Sequence, residues 1–98
     1  MSVPVYYNFI NGREVASSTG RTFENRNPAN PGEVLGLFQD SGPEDARCAV
    51  SAAVEAFGTW RNVPAPRRAE VLYRAAQLLV ERKEQLARDM TREMGKVL

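Results

Sequence analysis

Groups able to do covalent or acid–base work are sparse. The chain carries one thiol, Cys48, and no histidine. A nucleophilic cysteine needs a neighbouring base or an electropositive setting that lowers its pKa. At about 100° per residue, Cys48 falls opposite the Ala46, Val50 and Phe57 face of a helix, so it reads as a surface or inter-element thiol. One cysteine without histidine excludes an internal disulfide and the usual zinc patterns. The seven glycines form neither G-x-G-x-x-G nor G-x-x-x-x-G-K-[ST], so no phosphate cradle is encoded. Gly95-Lys96 reads as a helix stop with a cation near the negative end of the dipole. Glu81, Glu84, Asp89 and Glu93 alternate with Arg82, Lys83, Arg88 and Arg92. Paired carboxylates can move protons or hold a metal, but alternating signs at helical spacing describe a solvated face. Arg67-Arg68 sits at a helix start, where the dipole disfavours cations, so the pair is expected to reach a carboxylate or carbonyl in a larger body.

These residues sit on elements that the pattern defines. Asn11-Gly12, between apolar and β-prone residues, specifies a two-residue type I′ turn, because both central positions need positive φ. Ile10 should then face Arg13, Phe9 face Glu14 and Asn8 face Val15. Apolar side chains on both faces of that hairpin call for cover on both sides. A second strand is expected around Thr22 and Phe23 and is closed by Asn27-Pro28. Pro28–Gly32 is turn chemistry, and Glu33–Asp40 is a further strand. At Ser41 the period changes from two to 3.6. Ser41 with Glu44 fits a capping box and Pro43 suits a first turn. Ala46, Ala49, Val50, Ala53, Val54 and Phe57 form a stripe that Gly58 should end, with Trp60 in the connector. Pro64 and Pro66 precede a long amphipathic run to Lys96, with Leu72, Ala75, Ala76, Leu79, Leu86 and Met90 on one face and a bend expected near Arg82-Lys83.

At 98 residues the chain is at most one small domain, and 43% hydrophobic with 26% charged residues is a globular composition. A formal net charge of +1 gives no reason to expect nucleic acid or a membrane surface as partner. No apolar run approaches a membrane span, and no basic region followed by an apolar stretch marks a secretory signal. A cytoplasmic location is the default expectation. The segment reads as α+β: β-hairpins over residues 1–40, then two or three amphipathic helices over 41–98.

The segments FINGREV, TFENRNPANPGEVLG, SGPEDARCAVSAAVEAFGTW and PAPRRAEVLYRAAQLLVERKEQLARDMTREMGK, in this order, resemble the N-terminal part of the aldehyde dehydrogenase superfamily. The resemblance runs from about Tyr7 onward and rests on the hairpin, the Asn-Pro turn, the E-D-x-x-x-A-V-x-x-A helix, the W-x-x-x-P connector and the E-x-G-K ending. It implies an α/β parent enzyme with a Rossmann-like cofactor domain, of which 1–98 is an incomplete N-terminal part. Such enzymes oxidise an aldehyde to an acid with NAD or NADP. A cysteine thiolate attacks the aldehyde carbon, a glutamate activates water, and an asparagine with a backbone amide stabilises the oxyanion. All of these lie C-terminal to E-x-G-K, and Cys48 does not match the catalytic position.

The resemblance therefore places no catalytic, cofactor-binding or metal residue in this segment. Some members bind a monovalent cation near the strand before the Asn-Pro turn, here Asn25 and Arg26, but a basic Arg26 argues against a site. The turn from Asn27 to Glu33 is one residue longer than N-P-x-x-G-E and is similar to branches acting on semialdehydes, without naming a substrate. The implied partners are the remainder of an enzyme chain and further copies in a homo-oligomer, a dimer or tetramer. The other reading is a self-standing, non-catalytic interaction module of hairpins and helices.

Overall fold

The computed structural model describes residues 2–97. β1 (Asn8–Ile10) and β2 (Arg13–Val15) pair antiparallel in the expected register, Asn8 to Val15, Phe9 to Glu14 and Ile10 to Arg13. The turn takes φ of 54° at Asn11 and 74° at Gly12, the left-handed pair that a type I′ turn requires. The cover expected on both faces is not there: Ile10 and Val15 are half-buried, while Phe9 is 73% exposed.

β3 (Thr22–Asn27) and β4 (Asn30–Gln39) form the second antiparallel hairpin, with irregular register on either side of Arg26. β4 starts three residues earlier than the sequence suggested. The Asn27 side chain accepts the Ala29 N–H at 2.9 Å, which closes the reversal within Pro28-Ala29 and frees Asn30 to pair with Asn27. Ahead of β1, Val5 bridges Leu37 of β4 in parallel.

α1 spans Pro43–Trp60, α2 Ala65–Glu81 and α3 Lys83–Met94. Pro43 takes the first helical position as expected, but the cap is one residue later than Ser41. Gly42 is the N-cap, and Asp45, not Glu44, reaches back to its N–H at 2.9 Å. Glu44 instead pairs with Arg47 at 3.1 Å on the solvent side, and Ser41 accepts a bond from Asn8. Gly58 does not stop α1, because a glycine ends a helix only when it turns left-handed and Gly58 stays helical. The helix closes at Arg61, whose N–H meets the Phe57 carbonyl at 3.0 Å and whose guanidinium lies 5.5 Å from the Phe57 ring centre. The expected bend is present: Arg82, with φ −102° and ψ 13°, separates α2 from α3. Gly95 ends α3 in the left-handed conformation, φ 75°.

The helices do not enclose a core. α1 touches β1, α3 lies on β3, and α2 meets α3 end to end. Among the described residues no hydrophobic side chain is buried; Leu72, Leu79, Val54 and Met90 are all exposed. The accessible surface of 8101 Å² compares with about 5,600 Å² for a folded monomer of this mass. A radius of gyration of 17.0 Å compares with about 13 Å for a compact domain of this length.

Candidate functional site

Two polar junctions hold the elements together, and both are built on a carboxylate. The first joins the 16–20 turn to the start of α1. Asp45 Oδ2 accepts the Ser17 hydroxyl at 2.7 Å and the Gly42 N–H at 2.9 Å, while Oδ1 accepts the Ser18 N–H at 2.8 Å. Thr19 ties the same turn to the end of β4 through the Asp40 carbonyl, at 2.7 Å, and Ser17 N–H bonds the Gln39 side chain at 2.8 Å. Ser17 and Asp45 are 6% and 9% exposed, the two buried polar residues among those described. The Ser18 and Gly42 backbone amides, then the Ser17 hydroxyl, lower the Asp45 pKa to about 2. A carboxylate so fully supplied with donors is a poor base near neutrality, and it works as a staple.

The second junction fixes α3 to the β3–β4 hairpin. Glu33 accepts Arg92 Nε at 2.9 Å and the second guanidinium nitrogen at 2.7 Å through one oxygen, and Asn27 Nδ2 at 2.9 Å through the other. The Asn27 bond, and next the Arg92 contact, hold the Glu33 carboxyl below its ordinary value. Beside this clip lies a cavity of about 200 Å³, floored by Tyr6, Asn25, Leu35 and Phe38 and edged by Asp89, Arg92 and Glu93 of α3. Tyr6 stacks on Phe38 with ring centres 4.9 Å apart. Arg92, read from the sequence as part of a solvated face of alternating charge, is thus a tertiary contact whose target lies 59 residues away.

The other candidate residues remain apart. Cys48 is exposed on α1. Arg67 and Arg68 are exposed and reach no carboxylate among the described residues. Glu81 and Asp89 accept glutamine side chains one turn earlier, Gln77 at 3.2 Å and Gln85 at 2.8 Å, where arginine and lysine were the expected partners. Of the residues considered for a cation, Asn25 lines the cavity, whereas the Arg26 guanidinium turns to Glu24 at 2.5 Å and the Pro31 carbonyl at 2.9 Å. Among the described residues no three His, Cys, Asp or Glu side chains come together as a metal site. The role of Asp45 was hard to read from residues alone, since its partner Ser17 is 28 residues away. The one available signal was an aspartate at the third helical position, where a carboxylate can reach back to the cap.

The model of the aldehyde dehydrogenase family matches residues 15–98. An alpha-ketoglutarate semialdehyde dehydrogenase of Haloferax volcanii is 48% identical over 89 residues, 91% of this chain and 18% of the relative. A malonate-semialdehyde dehydrogenase of Geobacillus thermodenitrificans is 53% identical over 90 residues, 92% of this chain and 18% of the relative. Among solved structures, an NAD-dependent aldehyde dehydrogenase from Sinorhizobium meliloti superposes with a TM-score of 0.90 at 31% identity, over 97% of this chain and 19% of that one. The chain therefore spans slightly under a fifth of the length of these relatives.

Proposed function

The chain belongs to the aldehyde dehydrogenase family, and on that premise we propose that it is the N-terminal part of an NAD- or NADP-dependent enzyme oxidising an aldehyde or semialdehyde to its acid. The observation that carries this reading is identity near one half to semialdehyde dehydrogenases across nearly the whole segment. The longer turn from Asn27 to Glu33 supports the semialdehyde class. Within that enzyme the segment is structural. It contributes hairpins and outer helices to a Rossmann-like cofactor domain, and the uncovered stripes of α1 and α2 are the faces that a parallel sheet covers. No catalytic, cofactor-binding or metal residue is assigned to 1–98, and exposed Cys48 is not the nucleophile. A cytoplasmic homo-oligomer is the assembly that fits this class.

Steady-state assays test the proposal directly. An enzyme carrying this segment should reduce NAD or NADP when given malonate semialdehyde or ketoglutarate semialdehyde, and should keep its activity when Cys48 is replaced by serine. The 98-residue chain alone should give no turnover. Turnover by the isolated chain, or loss of activity in Cys48→Ser without loss of folding, would overturn the assignment.

A further inference from the structure

β4 leaves its ladder where it passes α3. Between the pairs Asn27–Asn30 and Arg26–Val34, residues 31–33 of β4 have no partner on β3. Irregularities of this kind re-aim side chains, and here Glu33 reaches Arg92 of α3. Arg26 holds the Pro31 carbonyl at 2.9 Å but leaves Glu33 to other partners. One Glu33 oxygen takes the Arg92 guanidinium, and the other takes Asn27 Nδ2. The Asn27 amide is occupied at both ends, because its oxygen accepts the Ala29 N–H that closes the reversal. Turning that amide over would set oxygen against carboxylate and NH2 against N–H, so Glu33 fixes its orientation. Arg92 has carboxylates nearer in sequence on its own helix, Asp89 and Glu93. It pairs with Glu33 instead, while Asp89 accepts Gln85.

We propose that Arg92, Glu33, Asn27 and the Ala29 N–H form a relay that couples the seating of α3 to the closing of the Asn27–Asn30 reversal. When Arg92 withdraws, Glu33 loses the contact that aims it. The Asn27 amide is then free to turn, and the Ala29 N–H loses its acceptor. The strand ladder does not substitute, since it is interrupted at 31–33. Backbone breaks at Arg82 and Gly95 give α3 a pivot at either end, so it moves as one piece.

Amide exchange in the full chain tests the relay at two reporters, the Ala29 N–H of the reversal and the Gly95 N–H that ends α3. Arg92→Met removes the donors and should speed exchange at both by about fivefold, the scale of one partly exposed ion pair. The β1–β2 amides should keep their rates. Asn27→Asp loses the donor to Glu33, yet its carboxylate accepts the Ala29 N–H with either oxygen and needs no orienting. It should speed Gly95 and leave Ala29 protected. The double variant decides the matter: with the relay already cut at Asn27, adding Arg92→Met should leave Ala29 unchanged, a non-additive result. Gly95 also passes close to Pro28 and Ala29, so coupling through packing predicts a further rise at Ala29 in the double variant. That rise would overturn the relay. So would an Ala29 amide indifferent to Arg92→Met, an unprotected Ala29 in the unsubstituted chain, or acceleration spread equally over β1–β2.

Discussion

At the residue scale, Asp45 links charge to the way α1 meets the chain before it. Its pKa falls from 3.8 to about 2, so the folded state favours the ionised form more strongly than the unfolded chain does. The stabilisation is complete above pH 4 and is lost as pH falls toward 2. Exchange at the Ser18 and Gly42 amides, both bonded to this carboxylate, should accelerate across that window before the β1–β2 amides respond. Asp45→Asn should reproduce the acid behaviour at neutral pH. A side-chain amide places an N–H where one of three donors now points, leaving that donor without an acceptor. An exchange profile unchanged by the substitution would contradict this role.

At the element scale, local chemistry decides most boundaries. Gly12→Val should cost about 1–2 kcal/mol, because a branched residue resists the positive φ of a type I′ turn. Its chemical-shift changes should stay within the β1–β2 hairpin. Gly95→Ala should cost about 1 kcal/mol for the same reason and fray the last turn of α3, read out by exchange at the Gly95-position amide bonded to Thr91. Those same local rules explain what could be read from residues alone. The register of β1–β2 followed from Asn11-Gly12, the start of α1 from Pro43, and the break at Arg82 from the gap in the apolar stripe. What escaped such reading depends on distance along the chain. The choice of Asp45 over Glu44 is made by Ser17 and Ser18, and Arg92 finds Glu33 only after α3 has folded onto β3. The early start of β4 turned on one side-chain bond from Asn27 that competes with proline-rich turn signals.

At the scale of the whole molecule, exposed apolar faces make a comparison possible between two contexts. Leu72, 72% exposed here, should tolerate Leu72→Lys in the isolated chain with a change within about 0.5 kcal/mol. In the longer enzyme, where α2 is proposed to lie against a sheet, the same substitution should be strongly destabilising, on the order of the 2–5 kcal/mol seen for core leucines. Denaturant midpoints of the two forms measure the difference, and equal effects in both would refute the buried face. The isolated chain should also bind hydrophobic dyes and melt over a broad range, as expected when secondary structure lacks a closed core.

Glycine 95 brings two distant stretches of primary structure into contact. A side chain there would meet Pro28 Cγ at 3.3 Å and the Ala29 β-carbon at 3.5 Å. The Asn-Pro reversal and the E-x-G-K ending, 67 positions apart by Pro28 and Gly95 numbering, are therefore two halves of one joint. Sequence drift on either half is answerable to the other. A bulkier residue at position 29 leaves no room for change at 95, and lengthening the reversal shifts the seat on which α3 ends. Across related chains, turn length and the residues closing this helix should vary together, as paired choices.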